Sequence, residues 1–247
     1  MQSGGGYFNI RVAIAKEAPI LLEWSEVQKK DPICLNLGGA EFHHPFPGYE
    51  GYVSVDLDPP PGEWTVRHDL TKSIPLPDGC ATRIHTEDFL EHVTVADIKA
   101  ILAECYRLLA PGGMMRIGVP DYNNPKDRHC LQKGTDKRYP GHVTLTTYEL
   151  MKDIVDRSPF PRFEFYHYWN EGAYVEGRMD YSLGMIQRTP EHHPRCRRTG
   201  IVQHAKGVVR DFFFLLSHGF RVSPWELQSR KGRRLYVTSL TVDLFKD

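Results

Sequence analysis

The 247-residue chain reads as an α/β protein built on a mostly parallel sheet with helices on both faces. Three observations predict this class. The run Ile33-Cys34-Leu35-Asn36-Leu37 leads directly into Gly38-Gly39-Ala40, as a buried strand does when it ends in a tight turn. A second run, Tyr52-Val53-Ser54-Val55, ends in Asp56. Further on, Ile98, Ile101, Leu102, Cys105, Leu108 and Leu109 form a helical stripe between two strand-like segments, 81–85 and 114–119.

Each element has its own local reason. Pro19 marks the start of an amphipathic helix around Leu21–Val27, within an N-terminal extension over residues 1–30. Pro45, Pro47 and Gly48 make 41–49 a loop, and Pro59-Pro60-Pro61-Gly62 is a rigid connector before a third strand at Trp64–Arg67. Thr94 and Asp97 read as a capping box that opens the striped helix, and Pro111-Gly112-Gly113 stops it. A fifth strand, Met114–Val119, ends at Pro120-Asp121. After a polar stretch to about Gly141, a helix is expected over Thr146–Val155 with Leu150, Met151 and Ile154 inward, followed by a strand over Arg162–Trp169. Residues 170–200 read as an irregular insertion, a cap over an acceptor pocket or an oligomer interface. A helix over Val202–His218 and a long closing strand over Leu235–Phe245 complete the chain.

Bulk composition narrows the class further. Lys plus Arg and Asp plus Glu each number 31, so the net charge is zero, which argues against a general electrostatic binder of nucleic acid or membrane. No apolar run reaches the roughly 18 to 20 residues of a membrane span, and Met1–Gly6 is not a secretory signal. Cysteines at 34, 80, 105, 130 and 196 form no close pairs, which suits reduced thiols in a cytoplasm. The expectation is one cytoplasmic domain over 1–247, monomeric or homodimeric.

The strand ends carry the chemistry. In open α/β sheets ligands sit beyond the carboxyl ends of the strands, glycine lets a ligand approach the main chain, and an acid at the tip of strand two suits a ribose diol. Strand, glycine turn, strand and acid together make a nucleoside-binding arrangement.

Five motifs in register carry a resemblance: Leu35-Asn36-Leu37-Gly38-Gly39, Val53-Ser54-Val55-Asp56, His68-Asp69-Leu70, Phe89-Leu90-Glu91-His92-Val93 and Arg107-Leu108-Leu109-Ala110-Pro111-Gly112-Gly113. In this order they resemble a class I S-adenosylmethionine-dependent methyltransferase of the type-11-like subgroup with a short first loop. Thr238–Asp243 is similar to that subgroup's last strand. The resemblance implies a Rossmann-like sheet, parallel except for an antiparallel last strand, and S-adenosylmethionine as cofactor. It would set Gly38 and Gly39 against the methionine part, Asp56 on the ribose hydroxyls, and Asp69 and Leu70 at the adenine, with Asn36 and Glu87 completing the cofactor set. Ala40 stands where the family usually has its last loop glycine, and Asn36 where it usually has an acid.

In a methyltransferase the acceptor meets the methyl group after strand four. If that segment is helical, Asp88, Glu91 and His92 share one face, and His142, in the loop after strand five, borders the same pocket. The pattern is similar to the metal site of ubiquinone-biosynthesis and small-RNA terminal O-methyltransferases, which implies a divalent Mg, Mn, Fe or Zn ion on Asp88, Glu91, His92 and His142. The other reading is metal-free, with Glu91 as a hydrogen-bond partner and His92 or His142 as general base. The favoured function is methylation of a small molecule, a sugar or secondary metabolite, at a hydroxyl first and a nitrogen second. Two alternatives are a non-catalytic binding protein and an RNA methyltransferase, the latter resting on the basic clusters Arg195-Cys196-Arg197-Arg198 and Arg230-Lys231-Gly232-Arg233-Arg234.

Overall fold

The computed structural model describes residues 21–39, 50–125, 127–184, 186, 205, 208–209, 212–213, 216 and 239–247. The strands are β1 Ile33–Leu37, β2 Tyr52–Asp56, β3 Thr65–Arg67, β4 Ala81–Glu87, β5 Leu109–Pro120, β6 Arg162–Asn170, β7 Ala173–Glu176 and β8 Ser239–Phe245. The helices are α1 Trp24–Val27, α2 Val95–Leu108, α3 His129–Lys133 and α4 Tyr148–Asp156. The strands form one sheet in the order β3-β2-β1-β4-β5-β8-β6-β7. β1 to β5 are parallel, and β8 runs antiparallel to both β5 and β6. This is a mostly parallel Rossmann-like sheet with antiparallel last strands.

Register decides what each face is made of, because in-register neighbours point the same way and alternate residues point oppositely. Leu37, Thr86, Ile117, Val242 and Phe165 align on one face, and the preceding row there is Leu35, Ile84, Met115, Leu244 and Phe163. Against these pack Ile98, Leu102 and Cys105 of α2 and Met151 and Ile154 of α4, forming the main core. The row between them is wholly polar: Thr65, Ser54, Asn36, His85, Arg116, Asp243 and Glu164 cross seven strands. All but Glu164 are buried. Arg116 donates through Nη1 to the Gly184 carbonyl, and a Cβ on Gly118 would meet Ile186 at 2.9 Å. Part of this face is therefore crossed by the chain that follows β7.

Most expected elements form close to their expected bounds. α2 is opened by the Thr94–Asp97 capping box, and α4 starts two residues later than expected, at Tyr148, with Thr147 accepting from the Leu150 N–H. Leu150 is only partly buried, and Val155 takes the inward place beside Met151 and Ile154. α2 ends at Leu108, ahead of Pro111-Gly112-Gly113, and that segment lies within β5, which begins at Leu109, five residues before the expected start, and changes register with β4 between Ala81 and Arg83. Residues 173–176 depart from the irregular reading: Gly172 at φ +80° turns β6 into β7, extending the sheet by a hairpin. The short helix α3 within the polar stretch is not foreseen in the sequence. Residues 1–20, residues 40–49, most of the 202–218 segment, residues 235–238 and both basic clusters lie outside the described residues.

Candidate functional site

The carboxyl ends of β1 to β4 place one set of groups. Gly38, at φ +69°, leaves β1 by donating its N–H to the Val55 carbonyl at 2.9 Å. A Cβ on Gly38 would lie 2.4 Å from Phe89 Cβ and Cγ, and one on Gly39 would lie 2.2 Å from Asn36 Nδ2. Both glycines are thus required by neighbouring side chains: the turn rests on Phe89 and folds over the Asn36 amide. Asn36 Nδ2 in turn is 3.5 Å from Ser54 Oγ on β2.

Asp56, the last residue of β2, accepts the Asp58 N–H at 3.1 Å. Its carbonyl takes the His68 N–H at 2.8 Å, which fixes the chain next to Asp69. Asp69 Oδ1 accepts both the Thr71 hydroxyl at 2.7 Å and the Thr71 N–H at 3.0 Å, and these bonds hold its carboxyl below the usual range. Leu70 is buried. Glu87 ends β4 fully buried, with Oε2 3.9 Å from His85 Nε2. Neighbouring parallel strands therefore bring Gly38, Asp56, Asp69 and Glu87 to one edge of the sheet.

A second set lies just beyond β4 and β5. The segment after β4 is a single 3-10 turn, Leu90–His92, rather than a longer helix. Asp88 precedes it at φ +54°, with its N–H on the Gly118 carbonyl at 2.9 Å, so it does not share a helix face with Glu91 and His92. An aspartate tolerates this left-handed conformation better than most residues. Thr144 N–H reaches the Glu91 carbonyl at 3.0 Å, and Thr144 Oγ1 reaches the Val93 carbonyl at 2.6 Å. These two bonds sew the loop after β5 onto the turn after β4. Glu91, His92 and His142 consequently meet, each offering a ligand atom within 4.8 Å of the others.

The geometry of this cluster is specific. His142 Nε2 is 3.9 Å from Glu91 Oε1, and the two imidazoles stand perpendicular with centroids 4.8 Å apart. Tyr139 stacks on His142 at 5.0 Å, 15° from parallel. His92 Nδ1 lies 3.0 Å from the Gly141 carbonyl, which can only accept, so Nδ1 carries the proton and Nε2 is left as the basic atom. Glu91 is buried, whereas His92 is exposed at the rim. The arrangement can take a proton from a bound hydroxyl, or hold a cation with one carboxylate and two imidazoles.

The contacts of three residues here, Tyr122, Asp136 and Asp121, carry no marker in the sequence. Tyr122 touches His142, and Asp136 holds Tyr122, across loops that show no periodicity. Asp121, at the end of β5, is buried and accepts the Trp169 N–H at 2.6 Å and the Asn123 N–H at 3.0 Å. Burial pushes its carboxyl up to about 7. The Arg116–Asp243 pair is different, because a charge set in the middle of each of two apolar strands is a readable signal.

Comparison with known proteins agrees with this fold. Residues 51–117, from the entry into β2 to the middle of β5, match the family model described as Methyltransferase domain. The stretch contains Asp56, Asp69, Glu87, Glu91 and His92. A solved structure from Thermotoga maritima, described as a "SAM-dependent methyltransferase, possible histamine N-methyltransferase", superposes with a TM-score of 0.50 at 12% identity, covering 87% of this chain and 82% of that one. The fold is that of a class I methyltransferase. A SAM-dependent methyltransferase from Archaeoglobus fulgidus gives the same TM-score at 14% identity, covering 90% of both chains. No curated protein matches the sequence. In the methyltransferase fold the edge holding Gly38, Asp56 and Asp69 adjoins the Glu91–His92–His142 cluster through β4. No helix among the described residues is long and apolar enough to cross a membrane.

Proposed function

We propose that the chain is an S-adenosylmethionine-dependent methyltransferase that methylates a hydroxyl of a small-molecule acceptor, with His142 as general base. The observation that carries this reading is the meeting of Glu91, His92 and His142 directly beyond the strand end that adjoins the glycine turn. Asp56 and Asp69 fit the polar hydroxyls and exocyclic amine of an adenosyl group, and buried Leu70 fits its apolar ring. When bound, the cofactor supplies an already activated methyl group, so the protein's task is alignment and removal of one proton. His142 Nε2 would take the acceptor's hydroxyl proton, and buried Glu91 beside it would stabilise the resulting imidazolium.

The compactness of the cluster supports a second reading. Glu91, His92 and His142 would hold a divalent ion, whose chemistry is to lower the pKa of a bound hydroxyl. Calorimetry with S-adenosylhomocysteine tests the cofactor assignment: saturable heat is expected, and its absence overturns the reading. Methyl transfer to a panel of hydroxyl and amine acceptors, with and without added Mg, Mn or Zn ions, separates the two forms. His142→Gln is expected to abolish transfer while leaving the S-adenosylhomocysteine heat intact.

A further inference from the structure

We infer that Tyr122 and Asp136 are positioning residues that lock His142 in the tautomer protonated at Nδ1, so that Nε2 is presented to the cluster as its basic atom. The inference rests on the proposed role of His142 and goes beyond it by naming what orients that imidazole.

The argument is a count of protons along one chain of contacts. Asp136 is buried, and Arg138 meets it with Nε and the backbone N–H on Oδ1, both at 2.9 Å, and Nη2 on Oδ2 at 2.6 Å. Arg138 is itself steadied by Asp127 at 2.6 Å. These contacts hold the Asp136 carboxyl well below its ordinary range, so it is an ionised acceptor with no proton to give. Tyr122 Oη lies 3.1 Å from Asp136 Oδ2, and its one proton is committed there. Tyr122 Oη also lies 2.6 Å from His142 Nδ1. With its proton spent on Asp136, the phenol oxygen can only accept, and the proton in that contact belongs to His142 Nδ1.

The remaining surroundings agree with this direction. Glu91 faces Nε2 from the 3-10 turn, the His92 ring stands edge-on, and Tyr139 covers one face of the imidazole. The Arg138 guanidinium lies 5.7 Å from the Tyr139 ring centroid, so the same arginine braces both the hydrogen-bond chain and the stacking partner. A base oriented by a hydrogen-bonded third group is the general logic of an activated pair, here with a phenol inserted between carboxylate and imidazole.

Nitrogen-15 NMR of histidine-labelled protein at neutral pH, without cofactor or metal, reads the tautomer directly, with the His142 signals assigned by their loss in His142→Gln. Wild type is expected to show a pyrrole-like Nδ1 and a pyridine-like Nε2. Tyr122→Phe removes the acceptor, and the Nδ1-protonated signature is expected to give way to a mixture with Nε2–H. Asp136→Asn gives the phenol a donor partner, and Nε2–H is expected to dominate. Circular dichroism and the S-adenosylhomocysteine heat should match wild type in both variants. A pyrrole-like Nε2 in wild type, or an unchanged tautomer in folded Tyr122→Phe, overturns the inference. Loss of the S-adenosylhomocysteine heat in wild type strikes the functional reading instead and leaves the tautomer result standing.

Discussion

Arg116 and Asp243 form a two-armed ion pair across β5 and β8, with Nε on Oδ1 and Nη2 on Oδ2 both at 2.7 Å and neither side chain reaching solvent. The pair sits in the polar row that crosses the sheet opposite α2 and α4, where Asn36, His85 and Ser54 are its in-register companions. Burial pushes the Asp243 carboxyl up more than Arg116 beside it pulls it down, so this ion pair forms against a desolvation cost. Its register is its clearest consequence: only one alignment of β8 on β5 sets the acid opposite the arginine.

Removing one partner strands the other as a buried charge. Asp243→Ala is expected to lower unfolding free energy by about 3–5 kcal/mol, measured by urea denaturation. The double change Arg116→Met with Asp243→Leu is expected to recover most of that loss, because it removes both charges and fills the space. A double variant as unstable as the single one would mean that the pair itself, rather than its unmatched half, carries the stability.

Gly38 gives the second expectation. Alanine there meets two penalties: a left-handed backbone worth about 1–2 kcal/mol for a residue with Cβ, and a Cβ placed 2.4 Å from Phe89. Gly38→Ala should therefore lower stability and weaken S-adenosylhomocysteine binding together. Adding Phe89→Ala removes the ring atoms but keeps the Cβ at position 89, so it relieves part of the contact and none of the backbone penalty. A double-mutant cycle in thermal unfolding is expected to show positive coupling between the two sites, and strict additivity would place Phe89 away from the turn.

These cases show what the sequence could reveal. The strand ends at Leu37, Asp56, Arg67 and Pro120 were legible because apolar runs stop at glycines, acids or prolines. The capping box of α2 was legible because its two partners are three residues apart. The strand-end residues Gly38, Asp56 and Asp69 and the group Glu91, His92 and His142 were picked out through order of motifs, whereas the segment after β4, whose helical form would have set Asp88 on the same face, is one 3-10 turn. β7 was missed because four residues after a glycine carry too little pattern to separate strand from loop. Tyr122 and Asp136 were invisible for a deeper reason: their contacts are made between loops, where no period ties sequence spacing to direction.

Asp121 sets a pH dependence. Its carboxyl titrates near 3.8 when unfolded and at about 7 when buried under Trp169. Between those values the folded chain keeps a proton that the unfolded chain has released, so this residue's contribution to stability falls as pH rises from about 4 to 7 and is level above that. Unfolding free energies of wild type and Asp121→Asn, measured across that window, are expected to shift in favour of the variant as pH rises, by on the order of a few kcal/mol in all. A constant difference between the two proteins would mean that Asp121 titrates alike in both states.

Asp56 separates binding from folding. The residue ends β2 half-exposed, and its side chain accepts the Asp58 N–H at 3.1 Å. The thermal midpoint of ligand-free Asp56→Ala, read beside its calorimetric affinity, separates a loss of binding from a loss of folding. If the carboxylate holds the ribose hydroxyls, Asp56→Ala forfeits a hydrogen bond to a charged group, worth about 1.5–3 kcal/mol, which corresponds to roughly ten- to hundredfold weaker S-adenosylhomocysteine binding. Asp56→Asn keeps an acceptor but loses the charge and should fall between the two. Asp69→Asn makes the matching test at the neighbouring strand end, where Thr71 already donates twice to the same carboxylate oxygen and orients it. Unchanged calorimetric affinity in Asp56→Ala would detach the nucleoside from the end of β2, and with it the reading of β1 to β3 as the cofactor edge.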